Sequence, residues 1–301
     1  MYVLTCLNNP FSALAYQGFT YPLFRPKLKA LQPNGSIVAI AASVSGKPAG
    51  LALAEIEDDG KSAKLLSLFV TASNRRQGIA SALLNRLEQE LSTGECIKYE
   101  VVYITGEPTT VAWEHLLHSS GWKEFQSRML VCKTTIDRIV DAPWMQKASL
   151  PASYTIFPWM EITSQERQII KETQQANPWI PEDLIPFKHE ENLEPLNSLG
   201  LRYQGQVVGW VITHRLAPDT IRYTCSFVRR DLQKMGRIIP MYVNSINKQI
   251  DAKIIKGIWT VPYIHDGMVN FVNKRMKPYM NSVEESRSAS KSLWETSVVA
   301  L

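Results

Sequence analysis

The chain of 301 residues is 45% hydrophobic and 20% charged, with a net charge of +5. Its length exceeds the ~100–200 residues of one domain and predicts two; the basic balance comes without any run of Lys or Arg, which excludes a nucleic-acid footprint. No apolar stretch approaches the ~18 residues of a membrane span, and the first residues lack the basic region of a secretion signal.

A cytoplasmic protein is therefore expected, and Cys6, Cys96, Cys132 and Cys225, which match no disulfide or ligand spacing, are expected to be buried free thiols. The histidines, His115, His118, His189, His214 and His265, show no metal-ligand spacing either, so no metal site is expected.

In chain order, residues 36–44 and 51–57 read as an antiparallel hairpin around a turn over 45–50 that holds Gly46, Pro48 and Gly50. Residues 65–70, rich in Leu with Phe and Val, have the length of a buried strand, which the polar or small residues 71–74 interrupt. Ile79, Ala80, Leu83, Leu84, Leu87 and Leu91 then fall on one helical face, with Asn85, Arg86, Gln89 and Glu90 opposite and Gly94 placed as a C-terminal stop. A strand over 99–105, a helix over 109–120 ended by Gly121 and Trp122, and a strand over 125–133 complete this half.

The junction between the Leu-rich strand and its helix reads Arg75-Arg76-Gln77-Gly78-Ile79-Ala80. A helix start carries unpaired N–H groups and the positive end of the macrodipole, so two arginines there oppose the field by a few tenths of a kcal/mol each. An anion resting on the helix end reverses that sign. Gly78 lets the backbone approach it, small Ala80 lets the helix start pack tightly beneath it, and the arginines add charge-assisted contacts to its oxygens. The junction is a cradle suited to a diphosphate.

With Arg75, Gly78 and Ala80 at its fixed positions, this stretch resembles the Arg/Gln-x-x-Gly-x-Gly/Ala signature of the GNAT superfamily, the acyl-CoA-dependent N-acyltransferases, and the order of elements around it is that family's. The resemblance implies an α/β (α+β) fold of two tandem GNAT-like domains, each a mixed, mostly antiparallel sheet with a splayed parallel strand pair and flanking helices. It also implies acetyl-CoA as the cofactor, with its pyrophosphate on Gln77, Gly78, Ile79 and Ala80 beside Arg75 and Arg76. The pantetheine arm would lie along Leu68, Phe69 and Val70 like an added strand, with 99–105 as the second splayed strand.

The second half repeats the first. Phe227 stands nine residues before Gly236 as Phe69 stands nine before Gly78, and Gly205 to Gly209 match Gly46 to Gly50. The strand over 101–105 matches 257–261, and 271–276 takes the place of the second helix. Prolines 143 and 151 flank a break in the pattern, which places domain boundaries at 1–145 and 146–301. The later cradle reads Gln233-Lys234-Met235-Gly236-Arg237-Ile238; Ile238 replaces the small residue and crowds the approach of phosphates, so this copy reads as degenerate. A proline-rich loop over 178–186 carries Trp179 on stiff backbone, placed either over a substrate cleft or against a domain.

The implied chemistry is transfer of an acetyl group to an amine of a small molecule or peptide, with the cofactor in the first domain. A lysine-like amine of pKa ~10.4 lies roughly 3.4 units from deprotonation at pH 7, a deficit of about 4.6 kcal/mol that a base or a desolvating site must offset. Many family members place a carboxylate early in the cradle's strand, where this chain has Lys64-Leu65-Leu66-Ser67, and a tyrosine five residues before the Gly-aromatic, where it has Leu117. The substitutes are Tyr103, central in the splayed strand, and His118, which with His115 flanks the vacant position; Glu55, Glu57 and Glu100 are the nearest acids in sequence. The missing pair also leaves room for a different class, a non-catalytic acyl-CoA-binding or partner-binding protein.

Overall fold

The computed structural model describes residues 1–93, 95–146 and 149–292, in two units: Met1–Arg128 with the residues from Ser286 on, and Met129–Glu285. The first unit contains β1 (Tyr2–Leu7), α1 (Pro10–Ala13), α2 (Arg25–Lys29), β2 (Ile37–Val44), β3 (Lys47–Ile56), β4 (Ser62–Val70), α3 (Ile79–Thr93), β5 (Lys98–Ile104), α4 (Thr110–Ser119) and the start of β6 (Lys123–Thr135). The second contains the rest of β6, α5 (Ile136–Ile139), α6 (Pro143–Gln146), β7 (Tyr154–Pro158), α7 (Ser164–Ala176), β8 (Leu199–Tyr203), β9 (Gln206–Ala217), β10 (Thr220–Val228), α8 (Arg230–Gln233), α9 (Ile238–Asp251), β11 (Lys256–Pro262), α10 (Asp266–Phe271) and the start of β12 (Ser282–Ser292). The remainder of β12, from Ser286, returns to the first unit. Gly94, read as a helix stop, lies outside the described residues.

Strands of the first unit run in the order β1-β2-β3-β4-β5-β12-β6, and those of the second in the order β6-β11-β10-β9-β8-β7. Among the described strand pairings each unit has one parallel pair, β4 with β5 and β10 with β11, among antiparallel neighbours. This is the mixed, mostly antiparallel α/β architecture that the sequence leads one to expect.

The apolar stripe of α3 is buried as its spacing requires: Ile79, Leu83, Leu84, Leu87 and Leu91 pack with Leu65, Val70, Tyr99 and Val101 on one face of the first sheet. Each such side chain contributes about 1.5–3 kcal/mol through burial. The opposite face carries Ala13 and Leu28 from the short N-terminal helices and Leu31 from the loop after them, packed on Leu51 and Leu53.

The hairpin turn is tighter than its six turn-forming residues suggest. Only Ser45 and Gly46 make it, with φ of 50° and 75°, a pair of left-handed residues whose twist matches the flanking strands. Pro48 is accommodated in β3 because the register slips between Ala42 and Ser43, where a missing ladder N–H is tolerated. Cys96, Cys132 and Cys225 are buried free thiols, but Cys6 is exposed, since it lies on β1, the edge strand of its unit. Trp179 of the proline-rich loop stands 6.0 Å from Trp210 and 5.7 Å from Phe227, so the loop covers its own unit's sheet.

The start of α7 shows how one carboxylate serves two elements. Thr163 and Glu166 form a reciprocal capping box, and Glu166 also accepts two hydrogen bonds from Arg202 of β8, whose guanidinium lies 3.5 Å over the Phe157 ring. The Arg202 hydrogen bonds lower the Glu166 carboxyl to about 2. A depressed carboxyl contributes stability above its unfolded value of ~4.3 and loses it as pH falls toward the folded value. Arg202→Met should therefore cost about 1–2 kcal/mol at pH 7, and urea titrations should show the deficit shrinking between roughly pH 4.3 and 2.

Candidate functional site

The parallel pair of the first unit parts in mid-strand. Its last registered residues are Leu65 and Val101, yet β4 runs on to Val70 and β5 to Ile104. A bulge marks the parting point: against β3, Leu53 pairs with Ser67 and Ala54 with Leu65, which leaves Leu66 unopposed. Such an extra residue bends and twists its strand. Beyond it, the edge of residues 66–70 turned toward β5 has no strand partner among the described residues. The second unit repeats this: β10 and β11 part after Tyr223 and Trp259, and Thr224 is the unopposed residue.

At the end of β4 the chain enters the cradle through two left-handed residues, Arg76 at φ 60° and Gly78 at φ 77°, and α3 begins at Ile79. The first N–H groups of α3 have no intrahelical acceptor, and its first turn holds no acid. A Cβ built on Gly78 would meet no protein atom within 4 Å, so the space over this backbone is open. The two arginines divide the work. Arg75 donates from Nε to the Val70 carbonyl at 3.2 Å, bracing the loop against the strand end, whereas Arg76 has no partner among the described residues and is available to an anion.

The brace recurs in the second unit, where Gln233 donates from Nε2 to the Val228 carbonyl at 2.8 Å. The signature's alternation of Arg and Gln at this position thus has a physical basis, since both side chains carry a donor that reaches the same carbonyl. Arg75→Gln should leave stability nearly unchanged, and Arg75→Met should lower it by about 1 kcal/mol in urea unfolding. Around Gly236 the two copies diverge. A Cβ there would lie 3.5 Å from Ile239 Cδ1; Ile238 packs into the core of its unit, so the residue beside the glycine is Ile239. Neighbours on a helix point about 100° apart, which is why one isoleucine turns inward and the other toward the cradle.

Tyr103 and His118 are not brought together. His118 is exposed near the end of α4 and stacks on Phe125 at 4.0 Å, and His115 is exposed too, while Leu117 between them is fully buried. Tyr103 donates its hydroxyl to Glu114 Oε1 at 2.8 Å, and Arg287 of β12 donates to the same oxygen at 2.9 Å. Burial, with the Glu114 hydrogen bond second, pushes the Tyr103 phenol well above its ordinary value, so it stays protonated at neutral pH. Glu55, Glu57 and Glu100 are each held in ion pairs, by Lys27, Lys64 and Lys98.

Glu114 and Arg287 were not singled out by sequence. A signal existed for the first: Glu114 is three residues before Leu117 and so shares the helix face on which the family's tyrosine would stand. Arg287 had none, because Ser282–Ser292 is mostly polar, with only Val283 and Ala289 apolar, and does not read as a strand.

In the second unit the bulge residue Thr224 carries its hydroxyl 2.7 Å from His214 Nδ1. His214 Nε2 lies 3.1 Å from the Glu191 carbonyl, so Nε2 bears the proton and Nδ1 accepts from Thr224. Burial lowers the His214 pKa, which favours this neutral form. Among the described residues no group of His, Cys, Asp and Glu is arranged to hold a metal ion, and no helix is long and apolar enough to cross a membrane.

Residues 6–115 match the family model of the Acetyltransferase (GNAT) family. Among solved structures, a tandem GNAT protein from the clavulanic acid biosynthesis pathway aligns with a TM-score of 0.65 at 11% identity, covering 97% of this chain and 99% of that one. A GCN5-related N-acetyltransferase from Sphaerobacter thermophilus aligns with a TM-score of 0.60 at 13% identity, covering 97% and 96%. At these identities the likeness is one of fold. No curated protein matches the sequence.

Proposed function

We propose that this chain, whose residues 6–115 match the GNAT family model and whose fold is like that of a tandem GNAT protein, transfers an acetyl group from acetyl-CoA to an amine, with the cofactor held by the first unit. The observation that carries this reading is the open cradle over Gly78, joined to a strand whose outer edge is unpaired. Both features fit the cofactor: the unpaired N–H groups at the start of α3 and the guanidinium of Arg76 suit a diphosphate, and the free edge of residues 66–70 suits an amide-bearing arm. Leu68, Phe69 and Val70 would hold that arm, and Gln77, Gly78, Ile79 and Ala80 the diphosphate. When bound, acetyl-CoA supplies an activated acetyl carbonyl. Arg75 serves as the brace of the cradle.

The acid and base roles fall to the pair on β5 and α4. The Glu114 carboxylate accepts the proton that the acceptor ammonium must lose, with Arg287 holding the carboxylate in place. The Tyr103 hydroxyl, hydrogen-bonded to Glu114, carries a proton between that carboxylate and the site where thiolate develops. His118, stacked on Phe125, has no part in this scheme. The second unit, with Ile239 beside Gly236, is a degenerate copy without a bound cofactor.

A non-catalytic acyl-CoA-binding protein is the second reading, favoured by the buried Leu117 in place of a tyrosine. Release of CoA over a panel of amines separates the two. Turnover that falls in a Tyr103→Phe variant supports transfer, and tight acetyl-CoA binding with no turnover on any amine supports the binder.

A further inference from the structure

One face of the first unit's fork changes character where the strands part. On β5, Tyr99, Val101 and Tyr103 turn toward α3, so by alternation Glu100, Val102 and Ile104 face the other way. Below the parting point this second face is charged and neutralised: Glu100 pairs with Lys98, Glu57 with Lys64 and Glu55 with Lys27. Above it the face is apolar and open to solvent, with Val102 47% exposed, Ile104 40% and Phe69 of β4 37%.

The chain also holds an aromatic wall against this patch. The Thr20 and Ser67 hydroxyls are 2.6 Å apart and buried, which anchors the segment after α1 over the bulge. The Phe19 ring packs on Phe69 at 5.1 Å, and Tyr21 beside it is exposed. Apolar side chains are thus left open on both strands beyond the parting point and on one side of the sheet, and one of them lies under an anchored aromatic segment.

We propose that the acceptor of the transfer reaction is an amine carried on an apolar or aromatic body, which lies against Phe19, Phe69, Val102 and Ile104 and directs its amine between the parted strands toward Glu114. This rests on the acetyl-transfer reading and narrows its acceptor. A polyamine or aminoglycoside suits the surface poorly, because each of the three nearby carboxylates already has a lysine partner that a second cation would have to displace. An arylalkylamine removes apolar area from water and leaves those pairs intact.

The test is calorimetric titration of 2-phenylethylamine and of spermidine into the full chain, alone and saturated with CoA. 2-Phenylethylamine should bind saturably in at least one of these states, and more tightly than spermidine by about tenfold or more. Val102→Asp and Ile104→Asp, both at exposed positions, should each weaken 2-phenylethylamine by about tenfold with an unchanged circular dichroism spectrum. Spermidine binding as tightly, no saturable 2-phenylethylamine binding in either state, or folded variants that bind it like wild type would overturn the proposal. Separate titration with acetyl-CoA distinguishes the two levels: an arylalkylamine site in a chain that does not bind acetyl-CoA defeats the transfer reading and leaves the apolar site standing.

Discussion

Glu114→Gln is expected to lower kcat by about 10²–10⁴-fold, the range in which a positioned acid or base contributes, while acetyl-CoA affinity stays within about twofold of wild type. The amide keeps the shape and still accepts hydrogen bonds from Tyr103 and Arg287, which both donate to Glu114 Oε1, but it cannot take a proton. A loss of kcat at unchanged cofactor affinity therefore isolates proton transfer from binding. Tyr103→Phe should give a smaller loss, because the carboxylate remains. If Glu114→Gln turned over at the wild-type rate across pH 6–9, the assignment of the base would be wrong, and desolvation of the amine would have to supply the missing ~4.6 kcal/mol.

Gly78→Ala should weaken acetyl-CoA binding by about tenfold to a hundredfold, or roughly 1.4–2.7 kcal/mol. Two effects separate cleanly at this position. The backbone is left-handed at φ 77°, so any side chain costs about 1–2 kcal/mol of folding stability. Inside the protein the added methyl meets nothing within 4 Å, so a loss of affinity beyond that reports what approaches the backbone from outside. Gly236→Ala is the control. At φ 65° it should show a similar stability cost in urea unfolding and no change in acetyl-CoA affinity.

Much of this was legible because it is local. The strand, cradle and helix from Leu65 to Leu91 follow from short-range periodicity and one glycine, and the repeat followed from matched glycine and aromatic spacings. Residues 2–7 carry a strand whose partner begins some thirty positions later, and the two short helices after it are too brief to show a period. Ser282–Ser292 lies between strands drawn from far earlier in the chain, so its pairing, not its composition, makes it a strand.

The same distinction governs the site. In sequence Arg75 reads as an anion ligand like Arg76, and only its bond to the Val70 carbonyl, matched by that of Gln233 to the Val228 carbonyl, makes it a brace. Glu114 was hidden because a carboxylate on an amphipathic helix ordinarily faces water, and only the neighbours Tyr103 and Arg287 single it out. The bulges at Leu66 and Thr224, which part the strands, leave no mark in the apolar pattern of either segment.

Of the two related cradles, only the one around Gly78 is expected to hold the cofactor. Calorimetric titration of acetyl-CoA into the intact chain should therefore give a single equivalent bound per chain; either no binding or two equivalents would overturn this assignment.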